Sequence, residues 1–382
     1  ASGGPSLVLC ESCSAYFNGS SNSHCPRCGA MEALSGAREW DHDSMCFALD
    51  VLRQGDLQLA EAYLGDKAVR CIASSVRGLF VAAPGKDLIC SDYDAIEARV
   101  LAMLAGEQWR IDVFRSHGKI YEMCAANLTG TPFEEIAADK SHPLRKPYGK
   151  VPELASGYQG WIGAWLAFGA DKYMDEKEIK SNILQWRADS PAIVEMWGGQ
   201  YRKAPDRWEF NWELHGLEGC FVAAILNPGT EYRFRYVSYL YHDGNVYCRL
   251  PSGRYLTYHK ARLVERANRF HGGTEYEIRF HTWNTNPKKG PYGWVEVGTY
   301  GGSLTENVTQ AVARDIFVHG MLQLDAAGYP IVLHTHDEPT GEVPQGWGSV
   351  EEMERLMCEL PEWCADWPIT ASGGWRGHRY RK

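Results

Sequence analysis

Residues 87–92, Asp-Leu-Ile-Cys-Ser-Asp, place a short apolar run that reads as a buried strand ending at Asp92. The period then changes: Ile96, Val100 and Leu104 recur every four residues, which predicts a helix. A second strand is expected over Ile331-Val-Leu-His-Thr335. It leads into an acidic turn with Pro339 and Gly341 and a return strand towards Val343, a hairpin with Asp337 and Glu338 at its tip. Between these segments Lys146, Lys150, Leu154 and Tyr158 repeat every four residues, so on a helix they share one face. Ser303 and Glu306 have the spacing of a capping box opening a further helix, on which Asn307, Gln310 and Arg314 form a polar face. Six tryptophans (161, 165, 186, 197, 208 and 212) crowd the middle of the chain, where helical packing is expected.

The 382 residues suffice for a sizeable core and two or three subdomains. No 18-residue apolar run exists, so no membrane partner is expected. The opening Ala1-Ser2-Gly3-Gly4 lacks the basic start and apolar stretch of a secretory signal and reads as a cut end. The formal net charge of −9 argues against a general nucleic-acid binder. Local charge answers it: from Arg249 to Lys289 there are nine Lys/Arg against three Glu, and Arg376, Arg379, Arg381 and Lys382 end the chain. Both stretches could track phosphates, although a bare charge run is more often a solvated surface.

Of twelve cysteines, four have metal spacing: Cys10-x-x-Cys13, eleven residues, then Cys25-x-x-Cys28. Each pair can present two thiolates to one tetrahedral Zn²⁺, with Gly19 and Gly29 suited to the tight turns. One structural zinc is expected there, since a closed four-thiolate site leaves no open position for chemistry. The other eight cysteines form no pairing pattern, which fits a reducing cytoplasm.

Three stations carry the candidate chemistry. A carboxylate at the end of a buried strand suits Mg²⁺, because it is rigid and faces water on one side only. Taken alone, the first station is also explained by Asp94 as a helix N-cap with Glu97 three residues on. His336-Asp337-Glu338 alone is explained by an exposed acidic turn, and the Lys146–Tyr158 stripe by a solvated basic face merging into core. Read chemically, that stripe offers ammonium groups to a triphosphate, then apolar and aromatic groups to sugar and base. Asp92 and Asp337 lie 245 residues apart, so only a fold can bring them together.

In this order the three stations resemble motifs A, B and C of the family-A DNA polymerases, especially the phage-type members. Arg249-Leu-Pro-Ser-Gly-Arg254, the stretch Thr299-Tyr-Gly-Gly-Ser-Leu through Asp315, and the cysteine ribbon resemble that group as well, so the likeness covers nearly the whole chain. The resemblance implies template-directed DNA synthesis from dNTPs on a primer–template, in phage replication. It also implies two catalytic Mg²⁺ ions held by Asp92, Asp337 and the carbonyl of Tyr93, with Glu338 and His336 near the primer terminus. Glu97 matches the steric gate against ribose. Lys150 and Tyr158 match the invariant lysine and tyrosine of motif B, and Leu154 stands where many relatives have Phe or Tyr. Lys146 occupies the usual arginine position with Arg145 one residue away, which leaves open which of the two grips phosphate. Asn307, Gln310 and Arg314 would meet minor-groove acceptors that hardly vary between base pairs. Pro147 and Pro152 depart from the pattern: inside a continuous helix Pro152 would cost about 3 kcal/mol and kink it.

The class expected is α+β, a right-hand palm with an antiparallel sheet and helical fingers. The bounds are 1–36 for the ribbon, 37–106 for the first palm portion, 107–245 for the fingers and 246–382 for the returning palm. Relatives carry a thumb, and often a 3′–5′ exonuclease, before this point, so a second chain or upstream segment is the expected partner. Two other readings stand beside a polymerase. A non-catalytic DNA-binding accessory subunit gains nothing from carboxylates that repel phosphate, and a metal-dependent nuclease leaves Glu97, Lys150 and Tyr158 without a purpose.

Overall fold

The computed structural model describes residues 50–64, 76–198, 216–267 and 274–380, together with five strands in the remaining segments. In chain order its strands are β1 (Leu7–Cys10), β2 (Tyr16–Asn18), β3 (Leu34–Arg38), β4 (Lys86–Tyr93), β5 (Gln200–Lys203), β6 (Trp208–Asn211), β7 (Glu231–Phe234), β8 (Val237–His242), β9 (Asn245–Arg249), β10 (Tyr255–Ala267), β11 (Thr274–Asn284), β12 (Gly293–Thr299), β13 (Ile331–Thr335), β14 (Glu338–Pro344) and β15 (Ala371–Gly377). Antiparallel sheets and many helices together make an α+β protein. Cys13, Cys25 and Cys28 lie outside the described residues, as do Trp212, Arg381 and Lys382. No helix among the described residues is long and apolar enough to cross a membrane. Cys90, Cys124, Cys220, Cys248, Cys358 and Cys364 form no disulfide among the described residues.

The chain divides into two units, the first comprising residues 1–92, 324–353 and 373–382, the second residues 93–323 and 354–372. The first contains the three-stranded sheet β2-β1-β3 and the sheet ordered β13-β14-β4-β15. Burial in the second of these sheets follows strand position. β4 and β14 are its central strands and carry continuous burial, whereas the edge strand β13 alternates half-buried and exposed positions. Ala82, Leu88 and Tyr380, with Leu333 and Trp375 against them, form an apolar cluster on this sheet. Of the C-terminal cations, Arg376 and Arg379 are engaged within the protein. Arg376 bonds Asp87 at 2.8 Å and the carbonyls of Pro344, Trp347 and Gly348, and Arg379 donates to the Gly78 carbonyl.

In the second unit, short helices from Gln108 to Leu226 are followed by an antiparallel meander, β7 through β12 in sequence order. Trp165, Trp186 and Trp197 are fully buried, the last two stacked with centroids 6.3 Å apart. Arg187 is sandwiched between Trp161 and Trp197 and donates to the carbonyls of Gln159 and Gly160. Phe221, on the helix Gly216–Leu226, covers one face of the meander through a tilted ring contact with Tyr239 and an edge contact with Tyr258.

Candidate active site

Within the first unit, Asp92 and Asp337 meet. β4 carries Asp92 at its exit, and the hairpin β13–β14 turns through His336 and Asp337, Thr335 pairing with Glu338 across the turn. A two-residue turn of this kind favours positive φ, and His336 adopts 52°. β14 pairs with β4, Thr340 opposite Cys90, which carries the hairpin tip to the end of β4. The Asp92 and Asp337 carboxylates are near enough for each to feel the other's charge. Burial pushes the Asp337 carboxyl up and Asp92 adds to the rise, while the His336 imidazole, 2.8 Å away, opposes it. Two carboxylates pressed together are a site for positive charge or a shared proton.

Glu338 is not at the tip. It begins β14, is 3% exposed, and accepts a hydrogen bond from the Tyr380 hydroxyl. Nor is Asp94 a helix cap. Ala95 takes that position at φ 47°, and the Asp94 carboxylate instead accepts from Thr370 at 2.9 Å and Ser372 at 2.6 Å. Tyr93 is buried, its hydroxyl donating to the Met357 carbonyl at 2.7 Å.

No group of three or more His, Cys, Asp or Glu side chains suited to a metal occurs among the described residues. The donor set at Asp92 and Asp337 still fits Mg²⁺, which keeps waters and is held by one or two carboxylates plus substrate phosphates rather than by a protein cage.

The second unit gathers the residues expected to meet the nucleotide. Glu97, in the first turn of the helix Ile96–Ala105, accepts a hydrogen bond of 3.3 Å from the Tyr158 hydroxyl. Burial first, then the charges of Glu97 and Glu306, raise the Tyr158 phenol well above its ordinary range, and the Thr309 hydroxyl opposes that shift. Tyr158 therefore acts as a neutral donor. The Gly302 N–H donates to Gln159 at 2.8 Å, joining the start of the helix Gly301–Ala326 to the turn that holds Tyr158.

The two prolines do not break a continuous α-helix, because none is formed. Residues Arg145–Lys150 make a π-helical turn, and a new α-helix, Val151–Ser156, begins with Pro152 in its first turn. Pro152 therefore stands in the first turn of its α-helix, a position where proline is tolerated, directly after the π-turn. The wider turn also breaks the four-residue stripe. Lys146, Lys150 and Leu154 are exposed, but Tyr158 lies in the turn beyond the helix. Arg145 and Lys146 part company: Arg145 binds the buried Glu122 at 2.7 Å, while Lys146 is exposed, its ammonium 5.8 Å from the Tyr173 ring centre.

Ser303 is not a cap, since its helix already begins at Gly301. On that helix Gln310 and Arg314 are exposed, and Asn307 donates to the Tyr258 hydroxyl at 3.3 Å. Arg314 lines an open groove of about 500 Å³ with Ser252, Arg254, His319 and Trp363. Arg254 is committed to Asp315, its Nε donating at 2.6 Å, and so is not free for phosphate.

No protein-family model matches the chain. The DNA polymerase of Bacillus phage SP02 is 36% identical to it over 330 residues, 85% of this chain and 46% of that protein. The chain belongs to the family-A DNA polymerases. DNA polymerase I of Pseudomonas aeruginosa matches 121 residues at 29% identity, 31% of this chain and 12% of that one. DNA polymerase I of Mycobacterium tuberculosis matches 155 residues at 24%, 40% of this chain and 16% of that one. The POL domain of Pol1 from M. smegmatis, solved with a DNA primer-template and dNTP, aligns over 80% of this chain and 42% of that chain, at a TM-score of 0.46 and 16% identity. This family-A chain spans about half the length of the phage polymerase it matches.

Sequence reasoning missed three residues of this polymerase chain. Tyr380, which supports Glu338, was hidden in a terminal segment read only for its cations. Arg110 and Glu153, a buried ion pair behind the motif B helix, carry no local pattern: they lie 43 residues apart and look like ordinary surface charges. The bordering Trp109 and Trp186 rings were the available clue.

Proposed function

We propose that the chain carries the nucleotidyl-transfer machinery of a template-directed DNA polymerase, joining deoxynucleotides to a primer 3′-hydroxyl. The reading rests on the meeting of the Asp92 and Asp337 carboxylates at the end of β4. Two Mg²⁺ ions held by Asp92, Asp337 and the Tyr93 carbonyl would supply the charge that acidifies the primer hydroxyl and steadies the leaving pyrophosphate. Glu97, held by the neutral Tyr158 hydroxyl, rejects a ribose 2′-hydroxyl by occupying its space. Lys150 and Lys146 meet the triphosphate, since Arg145 is already paired with Glu122. Leu154 is the apolar surface for sugar and base. Asn307, Gln310 and Arg314 meet the minor groove, and His336 and Glu338 serve the primer end. Cys10, Cys13, Cys25 and Cys28 hold one structural zinc. An upstream segment, on this or a second chain, supplies the thumb and a 3′–5′ exonuclease. Phage DNA replication in the host cytoplasm is the setting that the phage relative supports.

The test is primer extension with Mg²⁺ and four dNTPs, run with the chain, with Asp92→Asn and with Asp337→Asn. Extension by the parent and loss in both variants is expected. Extension by Asp92→Asn at the parent's rate would remove Asp92 from the chemistry. If the parent itself is inactive, adding the upstream fragment separates a missing partner from an inactive chain.

A further inference from the structure

The outer face of the β10–β11–β12 meander is not used by the reaction above. Register places its side chains together: Trp283 is opposite Trp294, His281 opposite Glu296, and His259 opposite His281. The opposite face is the covered one, through Tyr258, Ile278 and Phe280. On the outer face Trp283 and Trp294 remain 58% and 57% exposed, packed edge to face at 5.8 Å, with the His259 ring 5.1 Å from Trp294 at a similar angle. Solvent-exposed indoles of this kind mark an interaction surface.

Charge identifies the occupant. Arg262 and Arg279 are paired with Glu296 and Glu277, whereas Lys260 and Lys288 are exposed near the rings and leave the face a positive excess. Exposed cations beside exposed ring faces suit a polyanion with stackable bases, which uses both features. The backbone adds a third observation. An extra residue bulges β10 between His259 and Arg262, and there Lys260 sits at φ 48°, a conformation unfavourable for a lysine. The Asn245 side chain accepts from the Lys260 N–H at 3.1 Å and fixes the bulge. Bulges re-aim side chains, and this one presents an exposed lysine beside the aromatic cluster.

We propose that this face, with Trp283, Trp294 and His259 as stacking rings and Lys260 and Lys288 as phosphate contacts, binds single-stranded DNA without regard to sequence. The proposal stands apart from polymerisation, because its test reads binding with no nucleotide and no Mg²⁺ present.

The test is fluorescence anisotropy of a labelled twenty-residue oligo-dT in EDTA, titrated with the whole chain from 50 to 200 mM salt. Trp283→Leu with Trp294→Leu is expected to weaken binding at least about tenfold, since both stacking faces are removed. Trp283→Phe with Trp294→Phe keeps aromatic faces and stays within about threefold of the parent, which also controls for folding. Lys260→Gln with Lys288→Gln lowers the slope of log affinity against log salt by about 0.7 for each cation removed. A blunt duplex binds the Leu and Phe variants alike. Three results would overturn the proposal: no oligonucleotide binding by the parent at 50 mM salt, equal binding by the Leu and Phe variants, or an equal loss on blunt duplex. The second outcome would make the face an apolar docking surface for protein.

Discussion

Glu153 lies on the helix Val151–Ser156, just after the π-turn that holds Lys150, and its carboxylate turns inward. There it receives the Arg110 guanidinium on one oxygen and the Trp186 indole N–H, at 3.0 Å, on the other. The side chains of Arg110 and Glu153 are 3% and 5% exposed. Arg110 also donates to Ser190 at 3.0 Å and lies over the rings of Trp109 and Trp186 at 4.4 and 4.8 Å. Replacing Glu153 by Ala leaves a desolvated cation and a buried indole N–H without their acceptor, and breaking a buried pair in this way costs about 3–5 kcal/mol. Glu153→Gln keeps an acceptor but loses the charge, so it should cost about 1.5–3 kcal/mol, the range of one charge-assisted hydrogen bond. Arg110→Met with Glu153→Leu removes both charges and most of the desolvation penalty, and should recover most of the Glu153→Ala loss. Urea unfolding followed by tryptophan fluorescence reports the transition, the shift in midpoint multiplied by the slope giving each difference. A Glu153→Ala cost below about 1 kcal/mol, or a double variant no more stable than the single one, would refute the assignment of this pair as a buried, mutually dependent contact.

A Cβ built on Gly149 would sit 2.1 Å from the Tyr121 carbonyl oxygen, so Gly149→Ala must displace the π-turn or the helix Ile120–Thr129. A fall in melting temperature equivalent to at least about 1–3 kcal/mol is expected by calorimetry. Tyr380→Phe strips the buried Glu338 of a donor and should cost about 1–3 kcal/mol in urea unfolding, with no change expected for a hydroxyl that merely faces water. Burial raises the Glu107 carboxyl above its ordinary 4.5, although the N–H groups of Ile193 and Ala192 and the charges of Arg110 and Arg235 oppose the shift. A raised carboxyl binds its proton more tightly in the folded state, so its contribution is full below 4.5 and is lost as pH rises through the folded value. The stability of the parent relative to Glu107→Gln should therefore fall as pH rises above 4.5; a difference that rises with pH would contradict the shift.

The chemistry was legible where it was local and periodic, and illegible where it depended on distant chain. β4, the hairpin β13–β14 and the Ile96 helix follow from runs a few residues long, because strand and helix periods are set by backbone geometry within one element. Asp92 could be nominated from its place after an apolar run. Its proximity to Asp337 could not, because the pairing of β14 with β4 closes a loop of about 250 residues that no local pattern encodes. The Lys146–Tyr158 stripe shows the opposite error. Four-residue spacing implies a shared face only if 3.6 residues make every turn, and the π-turn at Arg145–Lys150 breaks that assumption. The sequence did carry a warning in Pro147 and Pro152. Counted as helix breakers they gave a penalty of about 3 kcal/mol, yet Pro152 stands in the first turn of a new helix, where proline is tolerated. The better inference from two prolines in a motif that must stay folded is that the backbone is not a single α-helix there. That change of register also separates the neighbouring cations: it leaves Lys146 at the surface and turns Arg145 onto Glu122.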